Sequence, residues 1–473
     1  MTPQPLVARP KTPNAGRTIV VGLGRTGMSC VRYLRSRALD FAVTDSRSAP
    51  PELTAFERLA PEAEIRLGGF DRSLLEGAAQ IIASPGVPLS DPFLASAAAR
   101  GVPVIGDIEL FAREAKAPIA AITGTNGKST VTSLVAHMAE AAGKRVLAGG
   151  NLGRPALELL EEAPPELYVL ELSSFQLETT HSLHTAAATV LNVTPDHMDR
   201  YPTLDAYAAA KARIFSRCDA AIVNLDDLAV RTMAHQAPRV LGFSLQADPA
   251  ADYFVHRQGD DVALMRGLSP FSTGREMGTV PISGDRPERL AMMSQLKLTG
   301  LHNAANALAA LAMCDALRLP RNRCIEALQS FAGLAHRSQW IADVNGVRFI
   351  DDSKGTNVGA TLAAVAGMRG SLVLIAGGQG KGQDFAPLAN AFRGKVRHVV
   401  LIGQDAKLLA AALQGVAATE YARDMEDAVR LAARAARNGE AVLLSPACAS
   451  LDMFRDYGHR GDVFAAAVRG LQT

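Results

Sequence analysis

Scattered cysteines, no run of one charge and no long apolar stretch set the first limits on this chain. The five cysteines, Cys30, Cys218, Cys314, Cys324 and Cys448, include no C-x-x-C pair. Neither a disulfide framework nor a zinc site is therefore expected, and a reducing cytoplasm fits. The formal net charge is only +2 and no basic run stands out. Nucleic-acid binding is not indicated, although a local basic cleft for a phosphorylated small molecule stays open. No apolar run is long enough to span a bilayer. Residues 1–16 are polar and proline-rich, lack the apolar centre of a signal peptide, and are expected to be disordered. What remains is the balance of a soluble globular protein, with 48% apolar and 20% charged residues among 473. That length suits two or three domains, each with its own core.

The most informative stretch is Ile119-Ala-Ala-Ile-Thr-Gly-Thr-Asn-Gly-Lys-Ser-Thr130, an apolar strand running into a glycine turn, a lysine and two hydroxyls. It reads as a cradle for a nucleotide triphosphate. Gly124 and Gly127 let the backbone curl so that the N–H groups of Thr125, Asn126 and their neighbours converge on one anion. The next helix aims its positive end at the same place. Lys128 can reach the outer phosphates, and the Ser129 hydroxyl, beside Thr130, can ligate Mg²⁺. Val131, Leu134, Val135 and Met138 follow at i, i+3, i+4, i+7, so the helix has one apolar face. The motif departs from G-x-x-x-x-G-K-[ST] in having Ile122 at the first glycine. An ordinary strand-turn-helix with a surface lysine is the competing reading.

Upstream, Ile19-Val-Val-Gly-Leu-Gly-Arg-Thr-Gly27 is a strand followed by G-x-G-x-x-G, and Phe41-Ala-Val-Thr-Asp45 is a second strand ending in an acid. A dinucleotide would satisfy this pattern, with Asp45 on a ribose hydroxyl; a uridine diphosphate group, or a purely structural turn, would satisfy it as well. Ile81-Ile-Ala-Ser-Pro-Gly-Val87 is a further strand whose exit turn lies where open α/β sheets bind ligands.

Downstream of the triphosphate loop, Leu167-Tyr-Val-Leu-Glu171 delivers Glu171 to a sheet's carboxyl edge, where a Mg²⁺-organising acid is needed. The loop after Thr189-Val-Leu-Asn-Val193 gathers Asp196, His197 and Asp199, which favours metal or phosphate work over a structural histidine. By pattern alone Lys211 is a solvated helix lysine, and Asn303 and Asn306 either cap the helix at 301–311, the favoured reading, or offer one amide to a base. Residues 245–295 lose the β-α rhythm and read as an inserted hairpin and loop. From His336-Arg337 onward, Val347–Asn357, Leu372–Gly378, Val399–Gly403 and Ala441–Ser445 read as short apolar strands separated by helical stretches, a further open α/β sheet. Cys448 in its last loop is expected to be a small packing residue.

Taken together, G-T-N-G-K-S-T, E-L-S-S-F-Q-L-E, N-V-T-P-D-H-M-D-R-Y, H-N-A-A-N, D-D-S-K-G-T-N and S-P-A-C-A-S-L-D-M-F resemble the Mur ligases. The resemblance runs from Val20 to about Phe464, excluding the 245–295 insertion. It implies an α/β protein of three domains. The first, 1–106, is Rossmann-like and holds a uridine nucleotide. A central P-loop ATPase domain with a mostly parallel sheet spans 107–333, and a Rossmann-like amino-acid domain spans 334–473. Within the family, Ser173-Ser-Phe-Gln-Leu177 points to the step that adds D-glutamate to UDP-N-acetylmuramoyl-L-alanine. The partners implied are that substrate, D-glutamate and ATP with two Mg²⁺ ions, bound by a cytoplasmic monomer.

Residue by residue, the resemblance assigns Leu23, Gly24, Thr26, Asp45, Ser46, Arg47, Ser84, Gly86 and Asn151 to the uridine substrate. Gly124, Thr125, Asn126, Gly127, Lys128, Ser129, Thr130, Asn306, Arg337 and Asp352 fall to ATP. Ser129, Glu171, His197 and Lys211, as a carbamate, fall to metal, with Lys128, His197, Lys211 and Arg337 catalytic. Lys354, Thr356, Lys381, Ser450, Leu451 and Tyr457 surround D-glutamate. Three rival classes remain open from sequence: an NAD-dependent dehydrogenase, a nucleotide-switched binding protein and a folylpolyglutamate-type ligase.

Overall fold

The computed structural model describes residues 16–471, apart from Leu152, 235–236, Pro249, Asp260, 268–286, Thr299 and Arg369. The expectation of a disordered 1–16 thus falls almost wholly outside the described residues. By internal packing the chain divides into two compact units, Met1–Pro118 with Leu147–His184 and Ile119–Val146 with Thr185–Thr473.

The first unit is built on five parallel strands, β1 Arg17–Val21, β2 Phe41–Asp45, β3 Glu64–Leu67, β4 Ala78–Ala83 and β5 Val104–Ile105. Their order is β3-β2-β1-β4-β5, so the chain reverses direction of travel between β1 and β4. Such a switch point opens a crevice beyond the carboxyl ends of the strands. Ile19, Val21, Ala42, Ile81 and Ala83 make the sheet's share of a core with Phe93 and Leu94. The same unit carries two strands further along the chain, which lie side by side: β7, mostly within it at Val146–Gly150, and β8 at Leu167–Glu171.

In the second unit, β6 Ile119–Thr123 pairs with β9 Ala187–Val190, and the order continues through β10 Ala220–Asn224 and β11 Arg239–Ser244, all parallel. Every residue of β6 and β9 is buried, as a strand covered on both faces demands. Residues read as an insertion do contain a hairpin, β12 Tyr253–Gln258 and β13 Asp261–Arg266, joined by β14 Glu288–Met292. Rather than standing apart, they extend the sheet beyond β11.

The unit's other sheet has the order β15-β16-β20-β17-β18-β19, from β15 Gln339–Val344, β16 Val347–Asp351, β17 Leu372–Gly377, β18 Val396–Ile402, β19 Ala418–Tyr421 and β20 Ala441–Leu444. Only β15 runs antiparallel. Separate apolar layers cover its two faces. Three parallel-rich α/β sheets are thus present, as the sequence led one to expect.

Candidate active site

The first unit's cleft forms at the β1/β4 switch point and has a volume of about 440 Å³. Gly22, with φ +93°, starts the turn after β1, and a side chain on Gly27 would collide with the Gly22 carbonyl. Those two glycines serve the turn and the close approach of helix Arg25–Ser36 to it. Gly24 differs: no atom lies within 4 Å of where its Cβ would stand, so it opens the cleft itself. Gly24, Thr26, Asp45, Ser46, Arg47, Ser84, Gly86 and Asn151 all line the cleft, as assigned from sequence. Leu23 does not. Its side chain is wholly buried, because alternate residues of an emerging strand face the core, and its N–H is spent on Asp45 Oδ2 at 2.6 Å.

Asp45 is itself nearly buried and fully engaged. Oδ1 accepts from the Arg47 backbone N and Nε at 2.8 and 2.9 Å, and Oδ2 from Arg47 Nη2 at 2.7 Å. Burial would push this carboxyl up, but the Arg47 guanidinium and the Leu23 and Arg47 amides hold it below the usual range. A dinucleotide site needs that acid free for a ribose diol; here it organises the Leu23–Arg47 rim instead. Arg25 and Phe70 also line the cleft without a role in the sequence reading, and Gln176 joins them from the Ser173–Leu177 stretch. Arg25 was legible in principle, lying inside the glycine motif; Phe70 reaches the cleft only through the fold.

Asn151 links this cleft to Glu171, donating through Nδ2 to Oε1 at 2.6 Å. Glu171 ends β8 and is buried, and its Oε2 receives no hydrogen bond from the protein. A buried carboxyl oxygen left without a donor in this way suits a cation. Among the described residues, no three His, Cys, Asp or Glu side chains form a ready-made metal cage. Mg²⁺ does not require one, since it keeps waters and phosphate oxygens and takes only one or two protein carboxylates. The donor set fits Mg²⁺.

In the second unit the triphosphate loop leaves β6 as expected. Gly127 caps helix Lys128–Ala141 in the left-handed region, φ +83°, and no side chain caps the helix start. The first N–H groups therefore stay open for an anion. Val131, Leu134, Val135 and Met138 are wholly buried, so the apolar face read from sequence anchors the helix. Lys128 Nζ folds back on the carbonyls of Gly124 and Thr125, both at 2.8 Å. The loop is laced to the exit of β9: the Thr125 N–H donates to Asn192 O at 2.9 Å, and the Asn126 N–H to Asn192 Oδ1 at 2.8 Å.

Lys211 is not a solvated lysine. It is 1% exposed, donates to Gly124 O at 3.0 Å, and lies 4.3 Å from the centre of the Tyr207 ring. The helix pattern could not reveal this, because its small neighbours Ala208, Ala209 and Ala210 let the loop approach closely. Nor do Asn303 and Asn306 cap their helix: Gly300 does, without a side-chain bond. Both asparagines are buried, Asn306 Nδ2 donates to Asn303 Oδ1 at 3.2 Å, and a side chain on Gly127 would strike Asn306 Oδ1. Asn306 thus sits against the triphosphate loop in a pocket of about 280 Å³ shared with Asn126, Gly127, Thr130, Arg337, Asp352 and Lys354.

Asp196 and His197 form the electrostatic centre. Burial holds His197 below its usual value, with Lys381, Lys128 and Lys211 pushing the same way against Asp196. The imidazole is therefore neutral at neutral pH. Burial would raise Asp196, but Lys381 and Lys128 keep it low and ionised. Lys381 Nζ reaches Asp196 Oδ1 at 3.3 Å, and Asn357 Nδ2 reaches both Asp196 Oδ2 and Asn126 Oδ1 at 3.2 Å. The sequence motifs contain both Asp196 and Asn357 but give neither a site role of its own. Their positions depend on two sheets meeting, which no local pattern encodes.

Arg337 stands between two left-handed residues, His336 (φ +61°) and Ser338 (φ +48°), and its Nη2 donates to Ser129 Oγ at 2.6 Å. Asp352 is buried at the end of β16, accepting from Ser445 Oγ at 2.8 Å and the Ser338 N–H at 3.1 Å; burial pushes it up to about 7. Lys354 Nζ lies 3.7 Å from the centre of the Tyr457 ring. Lys354, Thr356 and Ser450 lie in the exit loops of β16 and β20, Leu451 follows with its side chain exposed, and Lys381 follows β17. Cys448 is a packing residue as expected, wholly buried, its thiol pushed up to about 12 by burial.

Comparison with known proteins places this geometry. The chain matches the family model described as Mur ligase MurD-like, N-terminal domain, over residues 16–106. It matches the Mur ligase middle domain over 122–314 and the Mur ligase, glutamate ligase domain over 336–448. It is 50% identical to the UDP-N-acetylmuramoylalanine–D-glutamate ligase of Nitrosococcus oceani, over 96% of this chain and 97% of that one. The Methylobacillus flagellatus protein of the same name is 49% identical, over 96% and 97%. Among solved structures, MurF from Acinetobacter baumannii aligns with a TM-score of 0.59 at 17% identity, over 97% of this chain and 92% of that one. MurF from Thermotoga maritima, in complex with ADP, aligns at 0.58 and 14%, over 97% and 96%. These two share the fold. With half its residues identical to full-length relatives and three such models in succession along it, the chain belongs to the Mur ligase family.

Proposed function

We propose that this protein is an ATP-dependent ligase that joins D-glutamate to UDP-N-acetylmuramoyl-L-alanine in the cytoplasmic synthesis of peptidoglycan precursors, releasing ADP and phosphate. The observation that carries the choice of substrates is near-full-length identity of about half to D-glutamate ligases of that name. The proposed domain limits are 1–106, 107–333 and 334–473, and the working form is a monomer.

A carboxylate cannot acylate an amine directly, because its leaving group is too poor. The L-alanyl carboxylate attacks the γ-phosphorus in line, the bond to the ADP oxygen breaks, and an acyl phosphate forms. The amine of D-glutamate then attacks the acyl carbon and phosphate departs. Lys128 and Arg337 meet the charge that develops on the transferred group. Mg²⁺, when bound, spreads that charge further over the phosphate oxygens, and Ser129, Glu171, His197 and a carbamylated Lys211 are the groups that would hold it. Carbamylation needs an unprotonated amine and would turn the buried Lys211 into a carboxylate. Either part for His197, metal ligand or acceptor of the amine proton, needs the neutral imidazole that burial favours.

In the first cleft, Gly24, Thr26 and the Ser46–Arg47 rim take the uridine diphosphate, and Asn151 the muropeptide portion. Asn306 faces adenine and Asp352 the ribose. Lys354, Thr356, Lys381, Ser450, Leu451 and Tyr457 take D-glutamate. The test is ADP release with ATP, Mg²⁺ and UDP-N-acetylmuramoyl-L-alanine, comparing D-glutamate, L-glutamate and no amino acid. Release that requires the D-isomer is expected; release indifferent to it, or dependent on another amino acid, would overturn the assignment.

A further inference from the structure

The helix Tyr457–Gly470 carries a guanidinium that no substrate can reach. Arg460 is wholly buried, and its donors fan out to two loops. Nε donates to Ser353 Oγ at 3.0 Å and Nη2 to Ser353 O at 2.7 Å, while Nη1 donates to Cys448 O at 3.1 Å. Ser353 immediately precedes Lys354 in the exit loop of β16. Cys448 lies two residues before Ser450 in the exit loop of β20. Ser353 Oγ in turn donates to Tyr457 O at 2.7 Å, closing the network onto the first residue of the helix, whose ring lies beneath Lys354. The loops also touch directly, the Ala447 N–H donating to Gly355 O at 2.9 Å.

The three hydrogen-bond acceptors are one hydroxyl and two carbonyls; burial pushes the guanidinium down to about 10, against the opposing pull of Cys448, Asp452, Asp351 and Asp352. What an apolar side chain cannot supply is a rigid fork of donors that holds two backbones in register. We propose that Arg460 is a positioning residue for the amino-acid subsite, setting the separation of the loops that carry Lys354 and Thr356 on one side and Ser450 and Leu451 on the other. This rests on the D-glutamate reading above.

The test compares steady-state kinetics of the full chain and its Arg460→Met and Arg460→Lys variants, varying each of the three substrates in turn. Arg460→Met strands two buried carbonyls, so its KM for D-glutamate is expected to rise by about ten-fold or more. Its KM for UDP-N-acetylmuramoyl-L-alanine should stay within about two-fold, because the first cleft is untouched, and its KM for ATP should rise less than that for D-glutamate, since Asp352 adjoins Ser353 but is also held by Ser445 and Ser338. Arg460→Lys keeps the charge but cannot span both loops, and should fall between the two. If the Met variant does not melt cooperatively, the Lys variant alone carries the test through the same split. Equal rises in all three KM values, or an unchanged KM for D-glutamate, would overturn the proposal. Failure of the functional reading is distinct, since wild-type protein would then show no turnover dependent on D-glutamate.

Discussion

At the scale of single residues, charge placement decides the chemistry. Lys128 donates to two loop carbonyls, from which it can swing to an incoming triphosphate. Lys128→Ala should lower kcat by on the order of 10²-fold or more, as typical when a preorganised charge-stabilising group is removed. Near-normal turnover in a variant that melts like wild type would refute the cradle. Asp352 makes a second, independent prediction. Its value in the fold, about 7, lies above the ordinary 3.8, so the folded chain holds a proton that the unfolded chain releases. The stability this contributes is complete below the unfolded value and is lost as pH rises through about 7. Asp352→Asn should therefore flatten the melting temperature between roughly pH 5 and 8 relative to wild type. Parallel profiles would show that Asp352 ionises normally in the fold.

Elements place those charges, and glycines show which part of an element is turn and which is site. Gly127 needs its left-handed backbone and its missing side chain, for Asn306 lies against it. Gly127→Ala should raise the KM for ATP by about ten-fold or more, the strain of a non-glycine residue there costing about 1–2 kcal/mol before any clash. Gly24 is extended and faces open space. Gly24→Ala should melt within about 0.5 kcal/mol of wild type, as surface substitutions do, yet raise the KM for the uridine substrate alone. A lowered melting temperature would place Gly24 in the turn instead. Both elements were readable from sequence, strand, glycine turn and apolar helix face alike, because each depends on neighbours along the chain. The capping role read for Asn303 and Asn306 failed because a helix start alone cannot tell a cap from a residue turned into a pocket.

On the scale of the whole molecule, the second unit brings side chains from far along the chain onto the triphosphate loop: Arg337 on Ser129, Asn357 on Asn126, and Lys381 on the Asp196 beside it. Binding of ATP and the uridine substrate is expected to favour this closed arrangement over open ones. X-ray scattering should show a smaller radius of gyration with a non-hydrolysable ATP analogue and substrate than without, and superimposable profiles would count against closure. Periodicity, glycine turns and strand-end residues determined by themselves that the chain is α/β, that two of its strands run through glycine-rich turns into helices, and which short segments carry the polar groups. Each of those signals is local, arising from neighbours within a turn of helix or a strand's width. Only the tertiary structure decided that Lys211 is buried, that Asp45 is consumed in organising its own loop, that Asp196 and Asn357 join the centre, and that Arg460 ties two loops together. Those outcomes depend on which strands become neighbours and on which charges lose water when sheets pack, and desolvation is a property of the assembled fold rather than of any stretch of sequence.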